Sequence, residues 1–380
     1  MMSHKSKQEL LDTVRPRYYK AGRKEKKRIL DELVANTGYH RKHAIHVLNH
    51  PAPPGVRRKR RGKSRYGLRV KAALIQVWQA ANCICGKRLV PGMRDFVDAL
   101  ERHHELSLDA ETRHLLLQMS PATADRLLHS ERGSKRHGLG TTKPGTLLKQ
   151  AIPIRTFADW DDKRPGCVEA DLVAHCGDST AGAYLHTLVL VDVCTGWAEC
   201  VALPNKGQQA VQKALHAVRK CLPFPLLGLD SDNDAAFINA TLARYCAQEH
   251  ITFTRSRPYK KNDQAYVEQK NWTAVRQIVG YDRYEGRRAV QCLQALYQVL
   301  RLYMNFFQPV MRMTSKKRVG SKVTKQYDSA QTPFRRVLGV PEATDETKAR
   351  LQQCHLSLNP AALLRQIHDL QDQLWRLAKS

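Results

Sequence analysis

The sequence predicts a multidomain protein of mixed class: a helical N-terminal half, then an α/β domain whose mixed sheet carries helices on both faces. Three observations predict it. Apolar residues recur at helical spacing through 1–130, β-rich runs with period-two alternation begin near residue 167, and a basic Gly-rich stretch, "ERGSKRHGLGTTKPG", separates the two regions. At 380 residues the chain is long enough for two or three cores.

The first module spans 1–50. Ile29, Leu30, Leu33 and Val34 make one apolar stripe, "NTGYH" breaks it at Gly38, and Ala44, Ile45, Val47 and Leu48 make a second. This is the rhythm of a helix-turn-helix. Arg41, Lys42 and His43 lie on the outward face of its second helix, together with His40 and His46, so that face is basic as a major-groove helix requires. A linker follows over 51–65, "PAPPGVRRKRRGKSR", where prolines and glycines oppose regular structure and Arg57, Arg58, Lys59, Arg60 and Arg61 suit phosphates or a minor groove. A second helical module, read here as DNA-binding, covers 66–130. Val70, Ala73, Leu74, Val77, Trp78 and Ala81 supply its first stripe, and Ser120 with Pro121 marks a later helix start.

Beyond the linker at 131–164 the periodicity changes. "CVEADLVAHC" reads as a strand, and "YLHTLVLVDVCTGWAECVAL" as two strands parted near Thr195-Gly196. A helix over 207–222, a buried strand in "FPLLGLDSD", a helix from Ala235 to Glu249, the strand "ITFTRS" and two further helices complete a domain over 165–310. The second of those helices runs from Arg288 to Phe307. Residues 311–380 comprise a basic, flexible segment, "RMTSKKRVGSKVTK", and a final helix. Asn359 caps that helix, and its stripe of Leu363, Ile367, Leu370, Leu374 and Leu377 either folds back on the core or pairs with a second subunit.

Lys and Arg outnumber Asp and Glu 63 to 35, a net charge of +28 on a chain that is 42 % hydrophobic. A folded protein carrying that charge points to a polyanionic partner, nucleic acid before anionic lipid. The ten cysteines form no CxxC pair, which argues against a zinc module and for free thiols in a reducing compartment. No apolar leader or span of about 18 apolar residues occurs, so an intracellular location without membrane insertion is expected.

Three acids stand out by position. Asp171 sits inside the first strand of the α/β domain among Val168, Leu172 and Val173, a costly place for an unpaired carboxylate. Asp232 lies where a buried strand ends, the edge at which ligands bind in open sheets. Glu268 lies on a later helix, with Gln264, Asn271 and Trp272 on its face. Three converging carboxylates are hard oxygen ligands that suit Mg²⁺ or Mn²⁺, and two such ions serve phosphoryl transfer. Asp230 and Asp234 share a strand face with Asp232 and compete for its role. "DSDNDAAFINAT" fails as a calcium loop, with Ala235 for the required Gly and Thr241 for the bidentate Glu.

"VEADLVAHC", "LDSDNDAAF" and "NDQAYVEQKN", with 35 residues between Asp232 and Glu268, resemble the DDE integrase and transposase superfamily with its ribonuclease-H-like core. "KKNDQAYVEQKNW" and "QYDSAQTPFRRVL" are similar to bacterial insertion-sequence transposases of that superfamily. One departure is Asp234, which replaces the usual Gly after "DN". The resemblance implies a catalytic and metal-binding triad of Asp171, Asp232 and Glu268 using Mg²⁺ or Mn²⁺, two ions in all. It also implies 3′-end cleavage and strand transfer on double-stranded DNA, both element ends and target, by a homo-oligomer associated with the bacterial nucleoid in the cytoplasm. Lys260, Lys261, Lys270 and Arg276, which surround Glu268, are expected to contact the scissile DNA. Two other readings share these features: a ribonuclease-H-like nuclease without strand transfer, and a transposase-derived DNA-binding regulator.

Overall fold

The computed structural model describes residues 2–50, 65–132, 164–257, 264–319 and 322–379. Two compact units divide the chain at residues 65 and 66.

The first unit is three helices: α1 (His4–Lys20), α2 (Arg23–Thr37) and α3 (Arg41–Asn49). Gly38 ends α2 with φ of 69°, a left-handed conformation in which its N–H reaches the Val34 carbonyl, and the turn leads directly into α3. Ile29, Leu30, Leu33, Ala44 and Leu48 are buried as their stripes predict, and Leu11 and Tyr18 of α1 close the same small core.

The second unit opens with the helices of 66–130: α4 (Leu68–Ala80), α5 (Gly86–Leu89), α6 (Met93–Arg102), α7 (Ala110–Leu117) and α8 (Pro121–Leu127). Ser120 caps α8 by accepting from the Thr123 N–H, with Pro121 at the first helical position. Instead of standing as a separate module, these helices share one core with the rest of the unit. Leu74, Val77, Phe96 and Leu100 are buried in the same cluster as Val189, Leu296 and Ile367.

The α/β domain follows with β1 (Cys167–His175), β2 (Leu185–Asp192), β3 (Ala198–Leu203), α9 (Gln208–Cys221), β4 (Gly228–Ser231), α10 (Ala240–Gln248), β5 (Thr252–Arg255), α11 (Ala265–Lys270) and α12 (Gly286–Phe307). The strands lie in the order β3-β2-β1-β4-β5. β1, β2 and β3 pair antiparallel, whereas β4 joins β1, and β5 joins β4, in parallel. This five-stranded mixed sheet is the core of the α/β domain that the sequence predicts over 165–310. Alternation sorts its faces: Val168, Ala170, Leu188 and Leu190 pack with α9 and α10, while Val173, Val189 and Cys200 face the side of α11 and α12.

The β2–β3 turn falls at Thr195-Gly196 as predicted. Buried Asp192 holds it, accepting from the N–H and Oγ1 of Thr195 at 2.7 Å each. The helix expected from Ala235 starts only at Ala240. Asp234 takes the Ala236 N–H into a turn, and Asn239 becomes the cap by accepting from Leu242. α12 likewise begins at Gly286, two residues ahead of Arg288.

After α12 the basic segment is not formless: β6 (Met313–Val319) and β7 (Lys322–Tyr327) pair as an antiparallel hairpin. α13 (Pro333–Gly339), α14 (Asp345–Ser357) and α15 (Pro360–Trp375) finish the chain. α15 folds back within its own chain. Leu363, Ile367 and Leu374 are buried, and the Gln371 and Trp375 side chains donate to the carbonyls of Ile278 and Val279. Among the described residues no helix is long and apolar enough to cross a membrane.

Candidate active site

The parallel pairing of β1 with β4 sets Glu169 beside Asp230 and Ala170 beside Ser231. Asp171 and Asp232 each lie one residue past that last rung, at the carboxyl end of β4. Since residues two apart in a strand share a face, Glu169 and Asp171 both point to the α11 side. α11 crosses there carrying Glu268.

Two contacts hold α11 to β1. The buried Glu169 carboxylate accepts from the N–H groups of Tyr266 and Val267, each at 3.0 Å, satisfying donors that a helix start leaves without intrahelical partners. One turn after Glu268, Asn271 donates from Nδ2 to Asp171 Oδ2 at 2.6 Å, where the helix widens into a π-helical turn over Asn271–Arg276. Asp171 Oδ1 accepts from the Leu172 N–H.

Asp230, Asp232 and Asp234 occupy different environments. Asp230 is fully buried and takes a 2.7 Å hydrogen bond from Thr254 Oγ1. Asp234 is buried in the turn and is 3.3 Å from Lys206 Nζ. Asp232 is half-buried, and its Oδ1 accepts from the Asp234 N–H.

Burial pushes the Asp171 carboxyl well above the usual range, and the charges of Asp232 and Glu268 both push it further. Asp232 is raised too, first by burial; Lys206 opposes that rise. Asp232 and Glu268 therefore both act on Asp171. Their oxygens match the donor set of a hard divalent cation, and the mutual repulsion at Asp171 is what such a cation relieves. Among the described residues, however, no three His, Cys, Asp or Glu side chains are drawn together closely enough to hold an ion. Asp171 Oδ2 is bound to the Asn271 amide, and Glu268 is exposed.

The predicted DNA contacts divide. Lys42 and His43 are exposed on α3, His43 edge-on to the Tyr39 ring, while Arg41 is ion-paired with Asp31. Lys270 is 7 % exposed, which corrects its assignment as a surface contact to DNA: two residues after Glu268, it points away into the core. Arg276 is half-buried, lying 4.6 Å from the Tyr281 ring centroid. Arg57, Arg58, Lys59, Arg60, Arg61, Lys260 and Lys261 lie outside the described residues.

Sequence reasoning assigned no role to Glu169, Asn271 or Lys206. Period-two spacing from Asp171 and i+3 spacing from Glu268 offered signals for the first two. Lys206 is brought to Asp234 only by the tertiary fold.

A family model described as the integrase core domain matches residues 161–261, which include Asp171 and Asp232. An uncharacterized protein, y4rM, of Sinorhizobium fredii (strain NBRC 101917 / NGR234) is 44 % identical over 341 residues, spanning 88 % of this chain and 96 % of that protein. The chain belongs to the same family as y4rM, and its residues 161–261 carry the integrase core domain. Solved structures with similarity to this family member include the HTLV-2 integrase catalytic core domain in complex with magnesium, 16 % identical, covering 38 % of this chain and 90 % of that one with a TM-score of 0.30. The catalytic core domain of BIV integrase is also 16 % identical, covering 45 % and 91 % with a TM-score of 0.29. Through the integrase core domain at residues 161–261, the chain is transposase- or integrase-like.

Proposed function

We propose that the protein is the transposase of a bacterial mobile element, binding the element's terminal inverted repeats, cleaving at their 3′ ends and joining those ends to target DNA. The observation that carries this reading is the placement of Asp171 and Asp232 side by side past the β1–β4 pairing, with Glu268 on a helix fastened to β1 and the charges of Asp232 and Glu268 both felt at Asp171.

In this reading Asp171, Asp232 and Glu268 hold divalent metal, Mg²⁺ or Mn²⁺, as two ions. Bound there, metal lowers the pKa of an attacking water or 3′-hydroxyl and neutralises charge on the departing oxygen. The chain's own residues arrange the rest. Asn271 fixes the Asp171 carboxylate, Glu169 fixes the height of Glu268 above the sheet, and Lys206 holds the turn that presents Asp232. Each reaction is a displacement at phosphorus: one P–O bond forms to the incoming hydroxyl oxygen as another breaks, and the leaving oxygen takes up a proton. No covalent protein intermediate is needed.

Exposed Lys42 and His43 of α3 suit major-groove recognition, and the basic runs around Arg57–Arg61 and Lys260–Lys261 suit phosphates. Two ends must be processed together, so the working form is a homo-oligomer on DNA, in the cytoplasm at the nucleoid.

Purified protein incubated with labelled element-end DNA, a target plasmid and Mg²⁺, beside Glu268→Gln, tests the proposal. End-specific 3′ cleavage and joined product are expected from wild type and neither from the variant, which still binds DNA. Hydrolysis without joining would favour a ribonuclease-H-like nuclease. Binding with no reaction in either protein would favour a DNA-binding regulator.

A further inference from the structure

Behind α11 the second unit contains a cavity of about 100 Å³ between the α11 region, the loop after α4, α12 and α15. Two cations line it, Lys270 and Arg88. Lys270 is 7 % exposed. Among the described residues it has neither a hydrogen bond nor an ion pair, and the groups whose charges reach it are Arg88 and Cys200. Arg88 donates to the Pro309 carbonyl at 2.6 Å and weakly to Gln308, and the groups acting on it electrostatically are Cys85 and Tyr303. No described carboxylate acts on either. Two like charges thus meet in a low-dielectric space with no counter-ion from the described chain, an arrangement that carries a desolvation penalty unless something negative joins them.

The rest of the lining says what kind of anion fits. The exposed amides of Asn82, Gln269 and Gln277 also line the cavity, offering neutral hydrogen-bond donors toward solvent, whereas Met304 and Ile367 supply an apolar wall. The volume suits one small oxyanion with a water or two and excludes a nucleotide or a DNA strand.

We propose that this cavity is a binding site for a free tetrahedral oxyanion of the inorganic phosphate class, held between the Lys270 ammonium and the Arg88 guanidinium. It is separate from the three carboxylates. Residues two apart on a helix point to nearly opposite sides, so the anion sits behind α11 while Glu268 faces the other way. Filling the site braces the helix that carries Glu268 against α12 and the loop after α4.

The test is a phosphate titration of the full-length protein followed by thermal unfolding, at fixed ionic strength balanced with chloride, for wild type, Lys270→Met and Arg88→Met. Methionine keeps most of the side-chain volume and removes the charge. Wild type is expected to show a saturable rise in Tm of a few degrees beyond any seen in the variants. Lys270→Met without phosphate should melt no lower than wild type, since an uncompensated buried charge has gone. A strongly basic surface binds phosphate in all three proteins, so the increment missing from the variants is the decisive quantity. An equal rise in all three, or no saturable rise in wild type, overturns the proposal; if one variant fails to fold, the other gives the same comparison.

Discussion

Asp230, Asp232 and Asp234 are the same residue type at alternate positions, and only their surroundings separate them. Thr254 and Lys206 engage the outer two, leaving Asp232 as the one whose charge acts on Asp171. Asp232→Asn should therefore lower DNA cleavage by at least roughly 10²–10³-fold, the range for losing one electrostatic element of a site. Asp230→Asn keeps an oxygen for Thr254 and should stay within about tenfold of wild type. Cleavage assays with matched DNA-binding controls decide between them, and equal losses would sink the distinction. His175 carries a different prediction. It is fully buried, shares a 2.7 Å hydrogen bond with Thr187, and burial pushes its pKa down to about 3. In the unfolded chain a histidine titrates near about 6.5, so between those values the unfolded state takes a proton that the native state refuses. Stability is thus fully present above the unfolded pKa and falls as pH drops below it, with a contribution from this residue approaching about 1.4 kcal/mol per pH unit. His175→Gln should flatten the slope of urea stability between pH 5 and 7 (roughly the upper part of that window). Unchanged slopes would mean that His175 does not titrate as its burial demands.

Among the elements, α11 is short, six residues before the π-helical turn, and cannot hold itself in place by its own hydrogen bonds. Glu169 supplies the anchor. Glu169→Ala strands two backbone N–H groups at about 1–3 kcal/mol each. Turnover should fall with DNA binding unchanged, and Glu169→Gln, which retains an oxygen acceptor, should recover most of it. An alanine variant with wild-type turnover would show that α11 needs no such tie. The sheet and the Glu268 helix were legible because period-two and i+3/i+4 patterns are local. The start of α10 was not, because the "DNDAAFIN" run has helix-compatible residues whose Asp234 and Asn239 side chains capture backbone N–H groups instead. The β6–β7 hairpin was hidden for another reason: its strands are lysine-rich and lack an apolar alternation, so charge suggested disorder. Within the candidate site, position and the resemblance to the DDE superfamily single out Asp171, Asp232 and Glu268, whereas buried Lys270 read as a surface base because lysine is seldom buried.

At the scale of the whole molecule, cores reveal what folds with what. Every residue of the small cluster around Leu33 and Leu48 belongs to 1–50, and the other two clusters draw only on residues from 66 onward. The helices of 66–130 could not be assigned to the larger unit from sequence, since an amphipathic stripe states that a face is buried but not against what. With its cores closed within itself, a fragment of residues 66–380 should fold alone and unfold cooperatively at a temperature close to that of the matching transition in the full chain. Lacking Lys42, His43 and the basic run Arg57–Arg61, it should lose preference for element-end DNA. It keeps most of the other cations, so it should still bind duplex non-specifically, with a less steep dependence of log affinity on log salt. The slope becomes shallower by about 0.9 for every phosphate the fragment no longer neutralises. Affinity for end and random duplexes at three salt concentrations, for fragment and full chain, measures both quantities. A fragment that kept full end preference at an unchanged slope would transfer recognition from the first unit to the second, where the exposed lysines of the hairpin would be the next residues to replace.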